Sequence, residues 1–213
     1  MDIHPPEAPI HSFKQFLLHL LTITVGILIA LSLDGFLEWR HHRNLVEEAR
    51  NNLAQEIREN QQRLQLGITK APDAEQRLQN TISAIDSYRK NPSHPPQTLD
   101  WSFGIFALSG TAWHTAASTG AASYMDYSEV QRYTRVYVLQ DQFLSIQERT
   151  LDKWLDVQRW SVRIGSGGMA NLNGQELNEI EDEASAALVH TRTEESFAQA
   201  LIAEYSQALH EKQ

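Results

Sequence analysis

The chain has 213 residues, of which 41% are hydrophobic, so one packed domain and an additional apolar segment are both possible. It contains no cysteine, which excludes disulfides, thiolate-ligated metal and a cysteine nucleophile. The net charge of −9 is uneven: residues 1–98 hold 11 acids against 10 Lys/Arg, and residues 99–213 hold 16 against 8. An acidic distal part argues against nucleic acid as a partner, because phosphate binding needs a basic footprint.

Residues 1–12 form a short tail. From Phe16 to Leu33 the chain reads FLLHLLTITVGILIALSL, with His19 as its only ionisable residue. Counted with its flanks, residues 13–37, the segment is long enough to cross about 30 Å of hydrocarbon as a helix. Phe13, Phe36 and Trp39 stand where interfacial aromatics belong. The run is too long for a signal-peptide core, lacks a small-residue cleavage site and passes without a break into EWRHHRNLVEEAR, so it reads as an uncleaved single-pass anchor. Lys14 precedes the span and Arg40, Arg43 and Arg50 come after it, which favours a cytoplasmic position for the distal domain. Asp34, Glu38, Glu47 and Glu48 dilute that signal, and the side stays open.

Thr22, Gly26 and Ala30 recur every four residues and share one face of the span. Small residues at this spacing let two membrane helices approach backbone to backbone. The partners implied are the lipid bilayer and, through this face, a second copy or another membrane protein.

Residues 38–70 continue as a juxtamembrane helix without Pro, and with Gly67 as their sole glycine. Val46, Ala49, Leu53, Ile57, Leu64 and Ile68, with Asn60 in the remaining slot, step by 3, 4 and 4, a narrow stripe suited to helix pairing. Ala71-Pro72-Asp73 interrupts this helix and starts another to about Arg89, with Leu78, Ile82 and Ile85 inward. Asn91–Thr98, NPSHPPQT, is a connection that cannot be helix. Leu99–Tyr127 is the least regular part, with a short helix at Thr111–Thr119 stopped by Gly120.

Ser128–Gln131 has the form of a capping box, and a long helix is predicted from there to Ile164. It shows two apolar stripes: Val130, Tyr133, Tyr137, Leu144, Leu151, Leu155 and Val162, and Val136, Leu139, Phe143, Ile146, Val157, Trp160 and Ile164. Two stripes imply partners on both sides and a central place in the domain, with Gln140 and Glu148 outside. Gly165–Gly168 ends it. A last helix, Gln175–Glu211, carries Leu177, Ile180, Ala184, Leu188, Phe197, Leu201 and Tyr205 inward, and Thr191–Glu194 has the form of a cap for a fresh start. No period-2 pattern is sustained, so the fold class is all-α: one transmembrane helix continuing into an up-down helical bundle over residues 71–213.

VGILIALSLDGFLEWRHHRNLVEEARNNLAQEI, residues 25–57, resembles the N-terminal anchor of a group of bacterial single-pass membrane proteins of unknown function. TAWHTAASTGAASYMDYSEVQRY, residues 111–133, is similar to a mid-chain pattern in the same group. The two patches cover about a quarter of the chain. The resemblance implies the bacterial cytoplasmic membrane and an exported domain, although the strongly basic N-terminus of those relatives is missing here.

No constellation for chemistry is present. His41 and His42 are adjacent and diverge by about 100° on a helix, and no H-x-x-x-H spacing occurs. GSGGMANLNG, residues 165–174, lacks the preceding strand and succeeding Lys-Ser/Thr of a phosphate loop. The expected function is therefore a membrane-anchored scaffold or accessory subunit of a membrane complex, neither an enzyme nor a holder of metal or cofactor. The alternative is a membrane-anchored sensor or ligand-binding module.

Overall fold

A computed structural model describes residues 13–93 and 99–210. Most of the Pro-rich connection expected at Asn91–Thr98 and the end of the last helix at Glu211 lie outside them. Every regular element among the described residues is helical. The chain divides into two compact units, Met1–Glu48 and Ala49–Gln213, so the juxtamembrane segment 38–70 is shared between them.

In the first unit the helix α1 begins; it runs unbroken over Phe13–Ile68. It contains an 18-residue window of mean hydropathy 2.4, none of it buried inside the chain. The helix is thus long and apolar enough to span a membrane. Its hydroxyls add no unmet demand: Thr22, Thr24 and Ser32 donate to the carbonyls of Leu18, Leu20 and Leu28 at 2.9, 2.8 and 2.6 Å. Such back-bonding lets polar side chains sit in hydrocarbon. At the distal end of the apolar stretch, Phe36 and Trp39 lie 5.9 Å apart, and the Arg43 guanidinium sits 5.6 Å from the Trp39 ring centroid.

The second unit is built on the remainder of α1 and five further helices: α2 (Ala71–Lys90), α3 (Thr111–Ser118), α4 (Tyr127–Gln158), α5 (Trp160–Ile164) and α6 (Gly174–His210). Short 3-10 turns occupy Ala121–Tyr124 and Gly165–Asn171. Gly120 adopts φ 80°, the left-handed conformation that ends α3 where a side chain would be strained.

The stripe predicted on α1 is buried: Ala49, Leu53, Ile57, Asn60 and Leu64 all face inward. The cross-links between helices give their directions. Between α4 and α6 the pairs are Arg135–Glu204, Gln140–Tyr205, Trp154–Thr191 and Arg159–Glu183, so these helices run antiparallel. Glu75–Arg192 and Arg89–Glu181 make α2 antiparallel to α6 as well. Arg50–Glu129, Glu56–Tyr137 and Asn60–Gln140 make α1 parallel to α4. Hence α2 continues in the sense of α1. Thr69 and Lys70 therefore make a kink, with Pro72 in the first turn of α2, and no reversal of the kind that up-down alternation would place at this break.

The return is made by the extended stretch 99–110, which runs back along α1 and α2. Trp101 reaches Thr81, Ser102 reaches Arg77, Ala107 reaches Arg63 and Ser109 reaches Asn60. At its middle the Phe106 ring stacks edge-on against Phe143, 5.5 Å between centroids. The same ring lies so close to Gly67 that a Cβ there would fall 1.8 Å from it. Glycine is required at this crossing because any side chain would displace a ring already held from the other side.

Several expectations are corrected. The predicted stripes of α4 merge into one inward face of Glu129, Tyr133, Val136, Tyr137, Gln140, Phe143, Gln147, Thr150, Trp154 and Val157. Leu155 and Val162, from the first stripe, are 50% and 87% exposed, whereas Gln140, expected outside, is 2% exposed. Polar side chains win inward slots because they bond the extended stretch: Gln140 donates to Ser109 O and Gln147 to Phe106 O. Arg159, between α4 and α5, keeps helical dihedrals of φ −55° and ψ −27° and bonds Leu155 O, so the helical conformation continues to Ile164 as expected. Neither predicted capping box is used: Asp126 occupies the cap position of α4 without a side-chain bond, and α6 runs straight through Thr191–Glu194. Finally, α6 packs against both α2 and α4, and α4 itself has α1 and α6 as partners.

Phe143 is fully buried and Leu155 is half exposed. Phe143→Ala is expected to cost about 3–5 kcal/mol, the cavity included, and Leu155→Ala under about 1 kcal/mol. Chemical denaturation of the full chain in mild detergent measures both; equal losses would refute this assignment of the core.

Candidate functional site

Thr22, Gly26 and Ala30, the residues predicted for helix contact, all lie on exposed surface of α1, and a Cβ placed on Gly26 would meet nothing within 4 Å. Their face is open. Among the described residues, nothing in the chain itself covers it.

Within the second unit, two features stand out. The first is a buried polar clasp around the extended stretch. Extended backbone that pairs with no strand must find partners for its N–H and C=O groups. Side-chain amides supply them here. Asn60 Oδ1 accepts from Ser109 N at 3.0 Å and its Nδ2 donates to Ser109 O at 2.7 Å. Gln147 does the same for Phe106, accepting at 2.5 Å and donating at 3.1 Å. Each amide thus stands in for a neighbouring strand. Gln140 links them to α6: its Nε2 donates to Ser109 O at 3.0 Å, and its Oε1 accepts from Asn60 at 3.1 Å and from the Tyr205 hydroxyl at 2.5 Å.

Glu56 completes the clasp. Its carboxylate accepts from the Tyr137 hydroxyl at 2.7 Å, the Ser109 hydroxyl at 2.5 Å and the Ala112 N–H at 3.0 Å, the last in the first turn of α3. A carboxylate at a helix N-terminus is favoured by the orphan N–H groups and the dipole. Burial, then the bond to Glu56, push the Tyr137 hydroxyl well above its ordinary range, and burial does the same for Tyr205. Both remain neutral donors. With every member partnered, this network is structural.

The second feature is a cavity of about 410 Å³ where the α1–α2 kink, the extended stretch and α6 meet. Leu66, Ile68, Phe103, Ile105 and Phe106 give it apolar walls, and Arg63, Lys70, Arg77 and Glu195 also line it. Glu194 lines it too, 3% exposed, with an Oε1 that has no hydrogen-bond partner. Burial drives the Glu194 carboxyl up from 4.5 to about 7, against a lowering bond from the Thr150 hydroxyl. An acceptor buried without a partner is a costly arrangement and requires an explanation.

Glu194 is not singled out by the sequence. In chain order Ala187, Thr191, Glu194, Ala198, Leu201 and Tyr205 make one helical stripe, so an acid occupies a core slot. The capping-box pattern Thr191–Glu194 conceals this. Thr191 does not cap; its hydroxyl donates to Ala187 O at 2.8 Å and accepts from Trp154 Nε1 at 2.9 Å. His19 is exposed on the span, and among the described residues no group of three His, Asp or Glu converges as a metal site would need. Comparisons with protein-family models, with curated proteins and with solved structures found no match.

A carboxyl whose folded pKa is raised favours the fold in its protonated form, so its ionisation is paid for in stability. The contribution of Glu194 to stability is expected to fall by about 3 kcal/mol as pH rises from about 4.5 to about 7, at 1.36 kcal/mol per unit. Glu194→Gln removes this slope and is more stable than wild type at pH 8 by about 1–3 kcal/mol. Denaturation at pH 5 and pH 8 checks this, and parallel profiles for the two proteins would contradict it.

Proposed function

We propose that this chain is a membrane-anchored helical scaffold or accessory subunit of a membrane complex, seated in the bacterial cytoplasmic membrane and without catalysis of its own. The observation that carries this reading is the apolar stretch of α1, none of which is covered by the rest of the chain. Such a surface needs lipid or another membrane helix around it. The open face of Thr22, Gly26 and Ala30 gives a second helix a place to lie close. The likeness of residues 25–57 to anchors of bacterial single-pass proteins supports the same location. The helical domain then acts as a bundle of three long rods, α1 with α2, α4 and α6, whose fourth member is the extended return.

A second reading, a ligand-binding or sensing module, is favoured by one specific observation, the cavity that buries Glu194 without a partner for its Oε1.

Close helix packing in lipid depends on backbone approach, so enlarging the smallest residue should hurt most. Gly26→Leu is expected to weaken self-association by fivefold or more, roughly 1 kcal/mol, while leaving insertion intact, because Leu favours the bilayer. Val25→Leu, on another face, should change little. Energy transfer between labelled chains at matched expression reads this out. Equal signals for wild type and both variants would refute self-association through this face; co-purification with the same variants then probes a different membrane partner.

A further inference from the structure

The geometry points to a binding site in the α1–α2 cavity for a small apolar amine, its ammonium group held by the Glu194 carboxylate and its hydrocarbon against Phe103, Ile105, Phe106 and Leu66. This rests on the ligand-binding reading and names the chemistry of the bound molecule. The volume of about 410 Å³ falls in the range of small-molecule sites. The walls are mainly apolar, so they select a hydrocarbon body.

The unmet hydrogen bond selects the polar anchor. Asn60, Gln140, Gln147 and Glu56 are fully engaged by the clasp, whereas Glu194 keeps an acceptor oxygen with nothing to bond. The ligand must therefore bring a donor. A carboxylate ligand would bring a second acceptor and a like charge. An ammonium brings a charge-assisted hydrogen bond and restores the ionised carboxylate that burial disfavours.

The charged groups around the cavity do not overturn this choice. Arg63 of α1 donates to Ala107 O and pairs with Glu59. Arg77 of α2 donates to Ser102 O and lies 4.0 Å from Asp100. Lys70 stands at the kink, and Glu195 of α6 adds a second acid. The extended stretch 103–107 contributes no titratable group. From α4 the neighbour is the Thr150 hydroxyl.

The test uses the full-length chain in lipid nanodiscs, with empty nanodiscs to subtract partitioning. Hexylamine, 1-hexanol and hexanoate are titrated by calorimetry against wild type and Glu194→Gln. Hexylamine is expected to bind saturably, about tenfold or more tighter than hexanol, and to lose about tenfold or more in Glu194→Gln. In the wild type its affinity should rise between about pH 5.5 and about pH 8 as the competing proton leaves Glu194, while the amine stays protonated throughout. That profile needs no variant and holds even if the substitution impairs folding. A flat profile, or equal hexylamine affinity in wild type and variant, overturns the assignment. Saturable hexanoate or hexanol binding that matches or exceeds that of the amine overturns the amine class but leaves a ligand site. Absence of saturable binding by all three overturns the ligand-binding reading as well.

Discussion

The need of an extended backbone for hydrogen-bond partners governs the helical domain. Residues 99–110 cross between helices without forming one and without a strand beside them. Left alone, the N–H and C=O groups that face the helices would each cost part of a hydrogen bond. Asn60 and Gln147 solve this by presenting primary amides, which offer a donor and an acceptor in the same geometry as a peptide edge. Those amides sit on α1 and α4, so satisfying the extended stretch also fixes the register of these two helices. Gln140 extends the constraint to α6 through Tyr205.

This solution explains why the inward face of α4 is not uniformly apolar. A polar network inside a core is tolerated when every member is satisfied, and it then specifies one arrangement over its alternatives. Around it the packing is conventional: Leu53, Ile57, Leu64, Phe143 and Leu201 are fully buried. A second cluster gathers Leu78, Ile85, Trp101, Trp154, Val157 and Ile180 where α2, α4, α5 and α6 converge. Trp101 and Trp154 keep their indole donors satisfied by Thr81 and Thr191, which is what permits such large rings in a core. Glu194 is the exception to this pattern. It lies beside the space that the kink between α1 and α2 leaves, and its Oε1 is buried without a hydrogen-bond partner.

The apolar stretch of α1 obeys different physics. It is uncovered by the rest of the chain, and its hydroxyls turn inward to their own backbone. Burial in water-excluding surroundings favours apolar side chains. Only in the second unit does the chain supply those surroundings itself.

Hydropathy and spacing alone determined the apolar span, the all-helical class, the stop at Gly120 and the buried stripe Ala49, Leu53, Ile57 and Leu64, because each rests on local periodicity or on a single residue's conformational freedom. Even Asn60 was visible as a polar residue in an apolar slot. The tertiary structure decided the rest. Whether Pro72 turns the chain back or merely kinks it depends on what packs against α2, and α6 decides that. Gln140 looks like a surface residue until the extended stretch lies across it. Thr191–Glu194 has the spacing of a cap, yet α6 is held helical on both sides by Trp154 and the neighbouring core. In each case a polar side chain has two favourable fates, solvent or a specific partner, and only a partner distant in sequence selects between them.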